Sequence, residues 1–313
     1  MKVVVTGGAG FVGANLCRVM AKEPEITEVV ALDDLSTGSK SNLAAIDACL
    51  VEGTILDSDL LDSMLEGAAA VVHLAARPSV SRSLADPVAS HTVNATGTVQ
   101  VLEAARRAGE PLVVLASSSS VYGANPALPK HEGLVPMPMS PYAASKLAME
   151  AYGLAYSHSF GLPVLAFRFF NIFGPLQQAG HAYAAVIPAF ISAALSGQPL
   201  TIFGDGRQSR DFTNVDTVAS VITQAVLKKV SSDAPVNLAY GTRTDLLTLV
   251  ALLDDIIGRP LSVQHAPTRR GDVQHSQADS RRLLHLLPDV TPVALETGLK
   301  ATVDWFRSEQ VRP

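Results

Sequence analysis

The chain is expected to fold as an α/β protein, a doubly wound parallel sheet followed by a smaller C-terminal α/β subdomain. Three observations predict this. Short apolar runs alternate with helical stretches of ten or more residues over the first half, as parallel β-α-β units buried on both faces require. A glycine-rich turn stands between the first apolar run and the first helical stretch. Past Asn171 the alternation gives way to longer loops between helices.

Val3, Val4 and Val5 form a β-branched strand, and the turn from Gly7 leads into a helix over residues 11–20, where apolar residues take helical spacing. Residues 29–32 and 70–74 read as buried strands, residues 87–108 as a long helix and residues 112–115 as a further strand. A helix over residues 141–157 and a strand over 163–167 follow. The first domain therefore spans residues 1–170. Residues 171–313 form most of the second unit, with helices at 184–195, 245–257 and 293–306 and loops at 174–179, 204–210 and 267–276. Residues 211–240, including a helix at 215–227, are expected to return to the first domain. No internal repeat or low-complexity segment interrupts this order.

With 48% hydrophobic and 17% charged residues, the 313-residue chain has a globular composition and the length for two subdomains. Its net charge of −5 arises from 29 acids and 24 bases that do not cluster, which excludes an electrostatic footprint for nucleic acid. Cys17 and Cys49 fit neither a disulfide framework nor a metal spacing, so a reducing compartment is expected, with Cys17 a buried thiol in the first helix. The first strand runs directly into the glycine turn, leaving no room for a signal-peptide core, and no apolar run has the length of a membrane span. The expectation is a soluble, cytoplasmic protein. His73, His91, His131 and His158 show no metal-ligand spacing, so no metal is expected.

Gly7, Gly10 and Gly13 frame Phe11 and Val12 in a GxxGxxG turn. Turns without side chains let backbone amides and the positive end of a helix approach a pyrophosphate, which makes these five residues candidate dinucleotide contacts. Asp33 lies 20 residues beyond Gly13 at the end of the second strand. A carboxylate there accepts hydrogen bonds from an adenosine ribose and repels a 2′-phosphate. Asp34 follows instead of an arginine, and Ser36 and Gly38 continue the same candidate loop. The expected cofactor is NAD rather than NADP.

Tyr142 and Lys146 stand four residues apart on a predicted helix, one turn apart on one face. An unperturbed tyrosine, with a pKa of about 10, is a poor base at neutral pH. A neighbouring ammonium, with the charge of an oxidised nicotinamide, stabilises the phenolate and lowers that value. Ser118, at the end of the preceding strand, is placed to hydrogen-bond the reacting oxygen.

These motifs occur in order with segments 73–76, 94–98, 117–123, 168–175, 204–206, 209–212 and 269–272. Over essentially its whole length the chain resembles the extended short-chain dehydrogenase/reductase family, and within it the nucleotide-sugar 4-epimerases. The resemblance implies an NAD-binding Rossmann domain and a nucleotide-sugar-binding subdomain, with Ser118, Tyr142 and Lys146 as the catalytic triad. It implies that Leu74, Ala75, Ala76 and Asn94 line the cofactor, that Phe170 lies near the nicotinamide, and that Thr54 and Ile55 occupy the adenine edge. Many relatives carry Asp at the position of Thr54. On the substrate side it implies Asn171 holding the sugar nucleotide, Val186 and Phe203 around a uridine, and Arg210 and Arg269 on the diphosphate, a task suited to forked charged donors. Ser119, Asp272 and Ser276 join this set. UDP as the nucleotide and a homodimer follow from the same resemblance. The helices at 87–108 and 141–157 fit a dimer because they carry apolar residues on more than one face, among them Leu147, Met149, Leu154 and Tyr156.

Departures within the family narrow the chemistry. Relatives that dehydrate at C4–C6 or decarboxylate carry Glu where this chain has Ser120, so nothing here is placed to eliminate a C6 hydroxyl. Uronate epimerases usually carry Thr at the position of Asn171. Ser276 stands where strict glucose/galactose enzymes often carry Tyr, leaving room for a 2-acetamido group, although residues 176–179 depart from the N-acetylglucosamine branch. The implied reaction is C4 epimerisation of a UDP-hexose, in the glucose or N-acetylglucosamine series, through a transient 4-keto sugar. Tyr142 deprotonates the C4 hydroxyl and NAD is regenerated in each cycle. The alternatives are another nucleotide-sugar oxidoreductase, a 4,6-dehydratase, and a non-catalytic dinucleotide sensor, which needs no Ser–Tyr–Lys set.

Overall fold

Val3, Val4 and Val5 expose no surface, as the middle strand of a sheet covered on both faces requires. They lie in β1 (Lys2–Thr6) of a computed structural model that describes residues 1–179, 185–268 and 274–311. The chain continues through α1 (Phe11–Met20), β2 (Glu28–Asp33), β3 (Cys49–Glu52), α2 (Ser58–Leu65) and β4 (Ala68–His73). Then come α3 (Val80–Ala85), α4 (Pro87–His91), α5 (Gly97–Arg107), β5 (Leu112–Ser118), α6 (Pro141–Phe160) and β6 (Val164–Phe169). β7 (Ile172–Phe173), α7 (Val186–Leu195), β8 (Leu200–Phe203), β9 (Ser209–Arg210), β10 (Thr213–Asn214) and α8 (Val215–Leu227) follow. The chain ends through β11 (Val236–Leu238), β12 (Thr244–Asp245), α9 (Leu246–Ile257), β13 (Val263–Ala266), α10 (Arg281–Leu286) and α11 (Leu295–Val311).

Seven parallel strands form one sheet in the order β11-β6-β5-β4-β1-β2-β3. This is the doubly wound architecture expected. The chain winds outward from β1 to β3 and resumes at β4 on the other side of β1, so a crevice opens at the carboxyl ends of these strands. One face packs on α1 and α8 through Leu16, Met20, Val218 and Ile222; the other packs on α2, α5 and α6 through Leu61, Leu102 and Met149.

Several elements differ from the sequence expectation. β3 and α2 were not expected: β3 is an edge strand with four partly or fully exposed residues, so it lacks a buried apolar run. β11 is only three residues long, too short for a periodic signal, yet it completes the sheet beside β6. The helix expected over 87–108 is divided by a wide π turn at Thr92–Thr96, a feature that recurs at functional positions. The strand β9 occupies part of the loop expected at 204–210 and pairs antiparallel with β12. Ala184, the expected first residue of its helix, lies outside the described residues.

α6 begins where Ser140 accepts a hydrogen bond from the Ala143 amide at 3.1 Å, with Pro141 in its first turn, and ends at Gly161 with φ 76°. A separate core of Phe190, Ile191, Leu200, Leu249 and Leu299 joins α7, β8, α9 and α11. Among the described residues, no helix is long and apolar enough to cross a membrane.

Candidate active site

A cleft of about 520 Å³ opens where β1, β2 and β4 end. Gly7, Gly10, Phe11, Val12 and Gly13 form its floor. α1 starts at Gly10 with no side-chain cap and no acid in its first turn, so the free amides and positive end of the helix belong to the cleft. Two glycines are sterically required. Gly7 has φ +72°, and a Cβ on Gly13 would lie 2.1 Å from the Gly7 carbonyl oxygen.

Asp33 and Asp34 line the neighbouring wall with Ser36. Asp33 accepts hydrogen bonds from the Ala9 amide at 2.9 Å and the Leu35 amide at 2.8 Å, tying the glycine turn to β2. Burial raises its carboxyl above the usual range. Asp34 accepts from the Ser36 amide and hydroxyl at 2.9 and 2.6 Å. Thr54 and Ile55 close one end, and Leu74, Ala75 and Ala76 the other. Gly38 packs behind the glycine turn, where a Cβ would come within 2.8 Å of Ala9.

Asn94 and Phe170 are not in this wall. Asn94 is fully buried in the π turn; its Oδ1 accepts from the Arg77 amide at 2.7 Å, and its Nδ2 donates to the Arg77 carbonyl and the Ser145 hydroxyl. It therefore holds the wall from behind. Phe170 is fully buried with Val121, Tyr122 and Ala239. The cleft also includes Thr37, Gly53, Arg77, Pro78, Arg82 and Val93, which were not singled out from sequence. For Arg77 and Pro78 the available signal was their place directly after Leu74, Ala75 and Ala76.

Ser118 ends β5, and α6 carries Tyr142 and Lys146. Ser118 lies beside Tyr142 and accepts from the Ser120 amide at 3.1 Å. The Lys146 Nζ donates to the Ala116 carbonyl at 2.8 Å and lies 6.0 Å from the Tyr142 ring centre. Burial brings Lys146 down to about 8. Burial pushes Tyr142 above its ordinary value and the neighbouring Ser118 hydroxyl partly opposes this; the lowering expected from Lys146 and an oxidised nicotinamide belongs to the NAD-loaded protein. His73 is fully buried between the hydroxyls of Thr6 and Thr98 and, desolvated and beside Lys146, falls to about 3. It is a neutral bracket between β4 and α5.

A second cleft of about 440 Å³ contains Asn171, Val186, Phe203 and Arg210, with Ile172, Phe190, Gln208 and Phe212. Val80 reaches it from α3, so the segment after β4 borders both clefts. Asn171 has φ 31°, an uncommon backbone state for a non-glycine residue, and donates to the Asp211 carbonyl at 3.1 Å. Arg210 is braced by the Ser209 carbonyl at 3.0 Å. Asp211 is fully buried and accepts from the Thr242 hydroxyl at 2.9 Å and the Ala278 amide at 3.0 Å; burial raises it to about 6. Ser119 lies half-buried in the turn after β5. Ser276 is half-buried, its amide bonded to the Ser209 carbonyl at 3.0 Å, and outside the residues lining the cleft. Arg269 and Asp272 lie outside the described residues.

Residues 3–239 match the NAD dependent epimerase/dehydratase family. The chain belongs to that family. A UDP-glucose 4-epimerase of Mycolicibacterium smegmatis is 37% identical over 315 residues, covering 99% of each chain. A UDP-N-acetylglucosamine 4-epimerase from Methanobrevibacter ruminantium, solved with UDP-N-acetylmuramic acid, is 34% identical with a TM-score of 0.93 over 98% of each chain. A UDP-glucose 4-epimerase from Thermus thermophilus, solved with NAD, is 32% identical with a TM-score of 0.87 over 98% of this chain and 99% of that one. Relatives in this epimerase/dehydratase family also include a dTDP-glucose 4,6-dehydratase and a UDP-glucuronate 4-epimerase. The cofactor is NAD. The side-chain-free turn, the uncapped helix end and the acid at the end of β2 fit a dinucleotide without a 2′-phosphate.

Proposed function

We propose that the chain catalyses C4 epimerisation of a UDP-hexose in the cytoplasm, in the glucose or N-acetylglucosamine series. The observation that carries this reading is the grouping of Ser118, at the end of β5, with Tyr142 and Lys146 of α6, in a sheet whose neighbouring strands β1, β2 and β4 end at the dinucleotide cleft. Gly7, Gly10, Gly13, Asp33 and the Leu74–Ala76 wall would hold NAD, which supplies a reversible hydride acceptor when bound. Tyr142 takes the C4 hydroxyl proton and returns it, Ser118 orients the reacting oxygen, and Lys146 keeps a positive charge beside them. Asn171 and Arg210 hold the sugar nucleotide while the oxidised sugar turns over.

Ser120 supports epimerisation over dehydration. It occupies the position where dehydrating relatives carry an acid, and its hydroxyl is buried without a hydrogen-bond partner among the described residues. Ser276, bonded to Ser209 beside the second cleft, supports 2-acetamido sugars through the family resemblance alone.

Proton NMR of the purified protein with UDP-N-acetylglucosamine and no added cofactor is expected to show the anomeric signal of UDP-N-acetylgalactosamine. Conversion of UDP-glucose alone would restrict the substrate to the unsubstituted hexoses. Conversion of neither would remove the epimerase reading.

The same reading includes a homodimer. Leu84 on α3, Val88 on α4, and Tyr152 and Phe160 on α6 are 64%, 73%, 46% and 48% exposed, an apolar surface suited to a helical interface. Light scattering is expected to give twice the chain mass, and Val88→Lys to shift it toward the monomer. A wild-type monomer at micromolar concentration counts against the dimer.

A further inference from the structure

One buried charged group takes no part in either cleft. Glu150 lies on α6, four residues beyond Lys146 and eight beyond Tyr142, so the three side chains follow one helix face. It is 3% exposed. Its carboxylate accepts two parallel bonds from Arg168 of β6, Nε to Oε1 at 2.9 Å and Nη2 to Oε2 at 2.7 Å. It also accepts from the Ser117 hydroxyl of β5. Ser117 and Arg168 are register partners in the sheet, and the guanidinium lies 4.7 Å from the Tyr122 ring centre.

A buried ion pair is poor material for stability alone, because desolvation offsets much of the attraction and an apolar pair of similar volume often serves as well. A forked pair adds fixed direction. Here that direction ties α6 to the two strands beneath it. Lys146 bonds the Ala116 carbonyl and Glu150 accepts from Ser117, so two successive residues of β5 hold side chains of α6, and the next residue, Ser118, lies beside Tyr142. A slide of α6 along β5 would part Tyr142 from Ser118.

We propose that Glu150 and Arg168 are positioning residues, a charged clamp that keeps Tyr142 and Lys146 in register with the end of β5. The inference rests on Tyr142 as the acid–base group. The other charged and titratable side chains on elements packed against this helix are His73 of β4, Tyr122 after β5, Arg82 of α3, His91 of α4, and Glu103, Arg106 and Arg107 of α5. Glu150→Gln removes the forked pair that fixes α6 on β6, so Tyr142 leaves its register with the end of β5.

The test compares Ser117→Ala, Glu150→Gln and Arg168→Lys in the NAD-loaded protein. Misplacement of the acid–base group is expected to lower kcat about 10- to 100-fold in the two charge variants, with KM unchanged and a smaller loss in Ser117→Ala. Ultraviolet titration of tyrosinate, corrected with Tyr142→Phe, is expected to show a shifted Tyr142 midpoint in Glu150→Gln as its surroundings change. Ser117→Ala leaves the ion pair intact and decides the matter if the charge variants do not fold. Unchanged kcat and midpoint in the folded variants, or a loss confined to KM, would overturn the clamp. The titration needs no sugar, so failure of the wild type to turn over any UDP-hexose strikes the function reading and leaves this one to the midpoint.

Discussion

Tyr142→Phe is expected to lower kcat by about 10²- to 10⁴-fold, the usual contribution of a positioned acid–base group. Bound NAD and melting temperature should stay near wild type. The reasoning starts from α6. Ser140 and Pro141 start the helix, and the following residue is Tyr142, which lies beside Ser118 at the end of β5. Phenylalanine keeps the ring and its packing and removes only the proton carrier. Burial pushes Tyr142 above its ordinary value, so turnover by the wild type is expected to rise with pH as the phenolate forms. Lys146, brought to about 8 by its own burial, loses its charge at lower pH than Tyr142 ionises. The rise in kcat should therefore be checked once the pH passes about 8. A Tyr142→Phe enzyme turning over at the wild-type rate would assign proton transfer to another group.

Gly13→Ala is expected to empty the cofactor site. The added Cβ would stand 2.1 Å from the Gly7 carbonyl oxygen and 2.7 Å from the Gly8 Cα, both backbone atoms of the turn that must meet the pyrophosphate. Neither can move as a flexible side chain would. Overpacking of this kind costs about 1–3 kcal/mol or more. The turn must open, and Asp33, which holds the Ala9 amide, must shift with it. NAD released by acid from the purified variant should fall to a small fraction of the wild-type amount, and the urea midpoint should drop. Full NAD content at an unchanged midpoint would mean that the turn bends freely and that its close approach does not matter.

The fold was readable where local signals agreed. The strand Val3–Val5, the glycine turn and the helix at 11–20 each state one preference, and all three are compatible with the same β-α unit. The strands at 70–74 and 112–115 were visible because parallel central strands are apolar on both faces. Edge and very short strands carry no such signal, and β3 and β11 were missed for that reason. The continuous helical pattern over residues 87–108 hid the π turn, since apolar spacing survives one extra residue in a turn.

The candidate site divides along the same line. Sequence alone singled out the candidate residues: the glycines at 7, 10 and 13, Asp33, Ser118, and the four-residue step from Tyr142 to Lys146. These are local spacings, legible without distance information. Only the tertiary structure decided that Lys146 points into the Ala116 carbonyl, that Asn94 stands behind the wall, and that Glu150, Arg168 and Ser117 meet between α6 and the sheet. Glu150 was an acid on a largely apolar helix, and Arg168 a charge within a strand. The sequence could show each as unusual; it could not show that they solve the same problem. Burial of a charge is tolerated only with a partner, and that partner lies on a different strand or helix.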